Sequence, residues 1–206
     1  MLFRSRSFGL TTLRRRHTRV RGNHVGFVFR GKSGREHEVG IENRAIARIV
    51  KQCQELPGQE LFQYRDADGT RGSIDSEDVN EYLRETAGQD FTAKDYRTWA
   101  GTVLAAQALQ ELEQFDSEAQ AKRNVLEAIE KVAGQLGNTR AVCRRCYVHP
   151  AIVDSYMDGT MVEVLQKRAE AAIQTGLRRL SPEEAAVLAI LQQRLKRTAR
   201  TRRKAA

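Results

Sequence analysis

The chain has 206 residues, which suits one domain of ordinary size plus a short appendage and argues against a second full domain. Its 35 Lys and Arg residues against 26 Asp and Glu give a net charge of +9, so the expected partners are polyanions such as nucleic acid. No stretch approaches the roughly 18 apolar residues of a membrane helix, and three cysteines, an odd number, indicate free thiols. These features argue against a membrane protein and a disulfide-bonded secreted protein, and predict a cytoplasmic one.

The first part of the chain, residues 10–39, has the composition of β-strands. Apolar runs flank Arg21-Gly22-Asn23, where Gly and Asn tolerate the positive φ of a tight turn. We therefore predict a small antiparallel sheet. Basic residues that this sheet would carry on its exposed side are Arg14, Arg15, Arg16, Arg19, Arg30 and Lys32.

After this sheet the whole sequence is predicted to be helical, in an α+β fold that is mainly α. Apolar residues recur at helical spacing between turn residues, and N-capping residues precede several of the runs. The predicted helices cover residues 41–56, 76–88, 92 onward, 119–136 and 181 onward, with shorter helices between the last two. The predicted inward residues include Ile46, Ile49, Val50 and Cys53, then Tyr96, Trp99, Ala100, Val103 and Leu104, and then Val125, Leu126, Ile129 and Val132. The basic end of the chain, residues 194–204, is of the kind that is usually solvated and disordered.

Four separated segments combine basic, polar and aromatic residues in a distinctive order. They read Ser-Phe-Gly-Leu-Thr-Thr-Leu at 7–13, Phe-Arg-Gly-Lys-Ser-Gly at 29–34, Phe-Thr-Ala-Lys-Asp-Tyr-Arg-Thr-Trp at 91–99, and Gly-Asn-Thr at 137–139 leading to Tyr-Val-His-Pro at 147–150. In this order they resemble motifs of the bacterial and poxvirus-like type IB DNA topoisomerases. The resemblance covers about residues 7–157 and implies a helical catalytic domain that cuts and rejoins one DNA strand.

The resemblance implies that Tyr147 attacks a DNA phosphodiester and becomes joined to the 3′ phosphate. A free tyrosine hydroxyl has a pKa near 10, so the attack needs cations that favour the phenolate and hold the phosphate. Arg97 would contact two equatorial oxygens of the transition state through its planar fork, with Lys94 assisting at the phosphate. Lys32 would be the general acid that protonates the leaving 5′ oxygen.

Further side chains are predicted to bind the DNA. Poxvirus-type members often carry His where this chain has Asn138, whose amide can donate an equivalent hydrogen bond to a non-bridging oxygen. The basic residues predicted to bind DNA are Arg14, Arg15, Arg16, Arg30, Arg144 and Arg145. The implied reaction uses neither ATP nor a metal ion, and no cofactor is predicted. Double-stranded DNA is the implied partner, and we expect a monomer in the cytoplasm, associated with the nucleoid.

Three other interpretations fit parts of the sequence. Cys143 and Cys146, with His149 nearby, have the spacing of a zinc or redox site, although one such pair without a second rarely completes a tetrahedral site. A tyrosine recombinase would use the same nucleophile, but its second arginine usually follows a His-x-x-Arg box, whereas this chain has Lys94 to Arg97. A basic module that binds DNA without cutting it is a third possibility.

The family also carries features that this sequence lacks. One is another catalytic arginine, in an Arg-x-Gly-Asn-like segment ahead of the glycine that here is Gly9, and another is an N-terminal clamp domain. We therefore expect residues 1–180 to be a catalytic domain truncated at its start, followed by a helix and basic tail over residues 181–206. Loss of one charged transition-state contact typically costs about 10²–10³ in rate, so we expect impaired relaxation by this chain alone.

Overall fold

A computed structural model describes residues 7–112, 115–161 and 180–205. The chain divides into two compact units, Met1–Ala93 and Lys94–Ala206. All the described strands lie in the first unit, and the described part of the second unit is helical. This confirms the predicted α+β class, mainly α with a small antiparallel sheet. None of the helices in the described ranges is long and apolar enough to cross a membrane. The predicted boundary after residue 180 stays a prediction.

The N-terminal sheet has three antiparallel strands in the order β1 (Thr18–Arg21), β2 (His24–Arg30) and β3 (Glu36–Glu42). The predicted turn joins β1 to β2, and Gly22 has the positive φ of +59° that this turn requires. The last strand continues three residues beyond the predicted end of the sheet, because β2 pairs with it along its full length. A core of six buried apolar residues underlies the sheet: Leu13, Val25, Phe27, Ala47, Val50 and Leu61.

Helix α1 (Arg44–Glu55) begins three residues later than predicted. The side chain of Asn43 accepts hydrogen bonds from the main-chain N–H groups of Ala45 and Ile46, which fixes the first turn. The predicted inward face was also partly wrong, since Ile46 and Ile49 are exposed and Ala47 is buried beside Val50. The apolar spacing therefore identified the helix but not the face that the sheet covers.

A second hairpin follows α1, so the prediction that everything after the first sheet is helical was wrong. Strands β4 (Gln63–Arg65) and β5 (Arg71–Ser73) pair on either side of the predicted turn around Asp68 and Gly69. Such short strands have too few residues to show alternation in the sequence. Helix α2 (Ser76–Ala87) then ends the first unit's regular structure, capped by Asp75 rather than by the predicted Ser76.

The second unit contains five described helices around one apolar core. They are α3 (Ala93–Glu111, with its first residue in the first unit), α4 (Glu118–Leu136), α5 (Arg140–Cys146), α6 (Pro150–Met157) and α7 (Pro182–Ala205). The main chain of the basic C-terminal segment continues α7 as helix instead of being disordered. Residues 183–206 contain no Gly or Pro and are rich in good helix formers.

The buried face of α3 agrees in part with its predicted apolar series, since Trp99, Val103 and Leu104 pack partly buried against the core. Tyr96 is 50% exposed and Ala100 is exposed. Small and polar residues are buried instead: Gly101, Thr102, Ala105, Ala106 and Ala108, together with Leu109. In α4, three of the four predicted inward residues are buried, and Leu126 is exposed. A helix that buries small residues lets a neighbouring main chain approach it closely.

Candidate active site

Tyr147 lies at the end of α5, where the chain turns toward α6. Its main-chain N–H and that of Val148 both donate to the carbonyl of Cys143, which closes the last turn of α5. Pro150 then begins α6, with the side chain of His149 as its cap. The Tyr147 side chain is half-buried and packs against the core of the second unit.

The guanidinium of Arg97 lies above the ring of Tyr147. The distance from Arg97 Cζ to the ring centroid is 5.0 Å, within the range of a cation–π contact. Arg97 projects from the first turns of α3 and is exposed. Two residues predicted to act on the same phosphate are therefore neighbours, although 50 positions separate them in the chain.

Asn138 joins this group through a shared acceptor. Arg97 Nη2 donates to the main-chain carbonyl of Leu136 over 2.9 Å, and Asn138 Nδ2 donates to the same oxygen over 3.1 Å. This carbonyl is in the last turn of α4, where no further helical residue takes it as partner. The structure thus brings together Tyr147, Arg97 and Asn138.

The local sequence explains the position of Asn138. Gly137 adopts a left-handed φ of +65°, and the N–H groups of Gly137 and Asn138 bond to the carbonyls of Gly134 and Ala133. This pattern is the Schellman motif that ends many helices at glycine. Thr139 then caps α5 through its side chain. Gly137 therefore ends α4, Asn138 places its amide between the two helices, and Thr139 begins α5.

Helix α3 also contacts the main chain around Tyr147. Thr98 Oγ1 lies 3.2 Å from the carbonyl oxygen of Cys146, and Thr102 Oγ1 accepts a 3.1 Å hydrogen bond from the N–H of His149. A Cβ atom added at Gly101 would lie 2.5 Å from the carbonyl oxygen of Tyr147. Sequence reasoning overlooked these contacts, although a lone glycine inside a helical pattern is a signal of close packing.

The remaining predicted residues of this unit are on exposed positions. Lys94 is in the first turn of α3, and Arg144 and Arg145 are on α5. Cys143 is fully buried in the core, and burial raises the pKa of its thiol, although the positive charge of Arg97 opposes this. Within the described ranges, no three His, Cys, Asp or Glu side chains are grouped as a metal site would require.

Lys32, in the first unit, lies on the turn between β2 and β3. The N–H of Gly31 donates to the carbonyl of Arg35 over 2.7 Å, and Gly34 has a φ of +75°. The ring of His37 covers Gly31 so closely that an added Cβ would lie 2.5 Å from it. Lys32 itself is exposed, on a tight turn where packing favours glycine at position 31 and the positive φ favours it at position 34.

Three of the predicted DNA-binding arginines line one groove of the first unit. Arg14, Arg16 and Arg30 border a space of about 970 Å³, together with Phe8, over whose ring the Arg14 guanidinium lies at 5.4 Å. Arg15 does not line it. Arg15 Nη1 instead donates to main-chain carbonyls of the loop after α1, those of Leu56 at 3.2 Å and Gly58 at 3.4 Å.

Comparison with known proteins defines the class to which this chain belongs. A family model described as the catalytic core of eukaryotic DNA topoisomerase I matches residues 4–174, so the chain belongs to that family, as its motifs predicted. A relative in this class is DNA topoisomerase 1B of Acanthamoeba polyphaga mimivirus. It is 30% identical over 161 residues, which are 75% of this chain and 48% of the relative. The chain spans about half the length of this relative.

Proposed function

We propose that this chain is the catalytic part of a type IB DNA topoisomerase that relaxes supercoiled DNA through Tyr147. The observation that carries the proposal is the contact between the Arg97 guanidinium and the Tyr147 ring, in a chain that belongs to the topoisomerase I family. A cation next to a phenol is the arrangement that nucleophilic attack on a phosphodiester requires.

In the proposed reaction, the Tyr147 hydroxyl loses its proton to water, its oxygen attacks the phosphorus, and the bond to the 5′ oxygen breaks. Arg97 and Asn138 donate hydrogen bonds to the non-bridging oxygens, with Lys94 adding positive charge. Lys32 gives its proton to the departing 5′ oxygen. The product is a 3′-phosphotyrosine, and the freed 5′ hydroxyl end can rotate before the reverse reaction rejoins the strand.

The basic residues proposed to bind DNA are found in each of the two units, described separately. Arg14, Arg16 and Arg30 share one groove, and Arg144 and Arg145 lie exposed on α5 next to Tyr147. Arg15 would contribute its charge while it holds the loop after α1. Since the phosphotyrosine conserves the energy of the broken bond, the cycle requires neither ATP nor a metal ion. We propose that the protein acts as a monomer on nucleoid DNA in the cytoplasm of a bacterium.

Relaxation of supercoiled plasmid tests the proposal. The reaction contains EDTA and no ATP, and Tyr147→Phe is compared with Tyr82→Phe, a matched change at an exposed tyrosine of α2. We expect the wild type and Tyr82→Phe to relax the plasmid slowly and at equal rates, and Tyr147→Phe to be inactive. Equal relaxation by all three proteins would exclude Tyr147 as the nucleophile. Binding of the plasmid without relaxation by any of them would support a DNA-binding module instead.

A further inference from the structure

We propose that Thr98, Gly101 and Thr102 of helix α3 position the nucleophile by holding the main chain of residues 146–149. This inference rests on the proposed function of Tyr147 and goes beyond it, because it assigns a role to three residues that act through the main chain. All three are on the same helix as Arg97.

Thr102 provides a hydrogen-bonded link between α3 and the segment after Tyr147. Its Oγ1 donates to the carbonyl of Thr98 over 2.6 Å and accepts from the N–H of His149 over 3.1 Å. Thr102 is only 2% exposed, so water has no ready access to replace either bond. The link therefore fixes the main chain two residues after the nucleophile.

Thr98 contacts the same segment on the other side of Tyr147. Its hydroxyl lies 3.2 Å from the carbonyl oxygen of Cys146 and 2.9 Å from that of Lys94. A hydroxyl has a single proton, so it can donate to either carbonyl. The residues before and after Tyr147 thus both face hydroxyl groups of α3.

Gly101 allows the main chain of Tyr147 itself to touch the helix. A Cβ atom at this position would lie 2.5 Å from the Tyr147 carbonyl oxygen and 3.2 Å from the Tyr147 Cβ. Alanine is the better helix former, so glycine here is explained by contact and not by helix propensity. Any side chain at position 101 must displace the main chain of the nucleophile.

The arrangement couples the nucleophile to the cation that it needs. Arg97 and Gly101 are four residues apart and therefore lie on one face of α3. Arg97 contacts the Tyr147 ring, while Gly101 contacts the Tyr147 main chain. One rigid helix consequently sets the distance between the Arg97 guanidinium and Tyr147. A reactive geometry requires that such a distance be held precisely.

Amide hydrogen exchange tests the Thr102 link without relying on catalysis. The 206-residue chain is compared with Thr102→Val, which removes the hydroxyl at similar volume, and with Thr102→Ser, which keeps it. We expect the His149 amide to exchange roughly ten-fold faster in Thr102→Val, and near the wild-type rate in Thr102→Ser. Unchanged exchange in Thr102→Val would overturn the link.

Single-turnover formation of the covalent DNA adduct tests the Gly101 contact. Gly101→Ala is compared with Gly134→Ala, a change in the last turn of α4 at a site where an added Cβ meets nothing within 4 Å. A displacement of about 1 Å can slow a reaction about 10²-fold. We therefore expect Gly101→Ala to form the adduct about 10²-fold more slowly, with unchanged non-covalent affinity for DNA. Gly134→Ala should form the adduct at the wild-type rate.

The two arms separate failure of this inference from failure of the proposed function. If Gly101→Ala forms the adduct as fast as Gly134→Ala, the positioning role is wrong even though Tyr147 is the nucleophile. If the wild type forms no adduct, the proposed function fails. In that case the exchange measurement still decides whether α3 holds the segment around Tyr147.

Discussion

Arg97 and Asn138 donate hydrogen bonds to one acceptor, the carbonyl oxygen of Leu136, over 2.9 and 3.1 Å. A guanidinium has five N–H donors, so the bond to this carbonyl uses only part of the donor capacity of Arg97. Gly137, at φ +65°, ends α4 at this carbonyl. The end of α4 therefore sets the separation of the two groups that would hold a phosphate in the proposed site.

Arg97→Lys is expected to slow adduct formation about 10²-fold, because lysine keeps the charge but loses the planar fork. Non-covalent affinity for DNA should change little, since only one contact differs. Rapid-quench measurement of the first turnover would show the loss. Arg123→Lys, at an exposed position of α4, is the matched control. Equal rates for the two variants would contradict the assignment of Arg97.

Asn138→Asp is expected to form the covalent adduct at least about 10²-fold more slowly than the wild type. An ionised carboxylate only accepts hydrogen bonds, and it repels the phosphate. Asn138→His keeps a donor and should react much faster than the aspartate variant. Comparison of the two in single-turnover assays isolates the donor from the volume of the side chain. A fast aspartate variant would show that this position does not contact the phosphate.

Lys32→Ala is expected to slow cleavage of ordinary DNA by about 10²–10⁴-fold, because the 5′ oxygen would leave without a proton. A substrate with sulfur in place of that oxygen has a leaving group of much lower pKa and should be cleaved at nearly the wild-type rate. Gly101→Ala should stay slow on the sulfur substrate, because its defect is in the nucleophile. Slow cleavage of both substrates by Lys32→Ala would argue against Lys32 as the general acid.

Stability of the fold should fall as the pH drops below about 6.5, the ordinary pKa of histidine. Partial burial and the positive charges of Arg16 and Arg14 hold the pKa of His17 below its ordinary value of 6.5. The unfolded chain therefore takes up a proton at a higher pH than the folded chain. As a result, protonation of His17 has no effect on the free energy of unfolding well above about pH 6.5 and lowers it as the pH falls toward the lowered pKa.

Urea unfolding at several pH values between about 5 and 8 measures this effect. His17→Gln can still accept the N–H of Arg14, as the His17 ring does over 3.1 Å, but it does not titrate. We expect the free energy of unfolding of this variant to vary less with pH in that range. The same slope in both proteins would show that His17 is not the group responsible.

Arg194→Met is expected to destabilise the second unit by about 1–3 kcal/mol, because it leaves a buried hydroxyl without its charged partner. Arg194 of α7 donates to Ser155 Oγ over 2.9 Å and also contacts Asp158, both on or next to α6. Thermal or urea unfolding checks the change. Lys196→Met, at an exposed position of the same helix, should change stability far less.

The sequence alone determined the family, the type of fold and most of the helices. Capping residues, turn glycines and apolar spacing act locally, so they can be recognised in the sequence without knowledge of distant contacts. They identified α3, α4 and the hairpin turn of the first sheet, and the motif around Tyr147 identified the topoisomerase family. They failed for Ile49, which is exposed, and for the short strands β4 and β5, because burial depends on what packs against an element.

Only the tertiary structure decided how the candidate residues meet. Arg97, Leu136 and Tyr147 come from three helices, and no local pattern reveals that one carbonyl and one ring both contact the same guanidinium. The role of Gly101 could not be predicted either, because the sequence does not show which main chain approaches this glycine. Local chemistry selected the residues, and long-range packing set the distances between them.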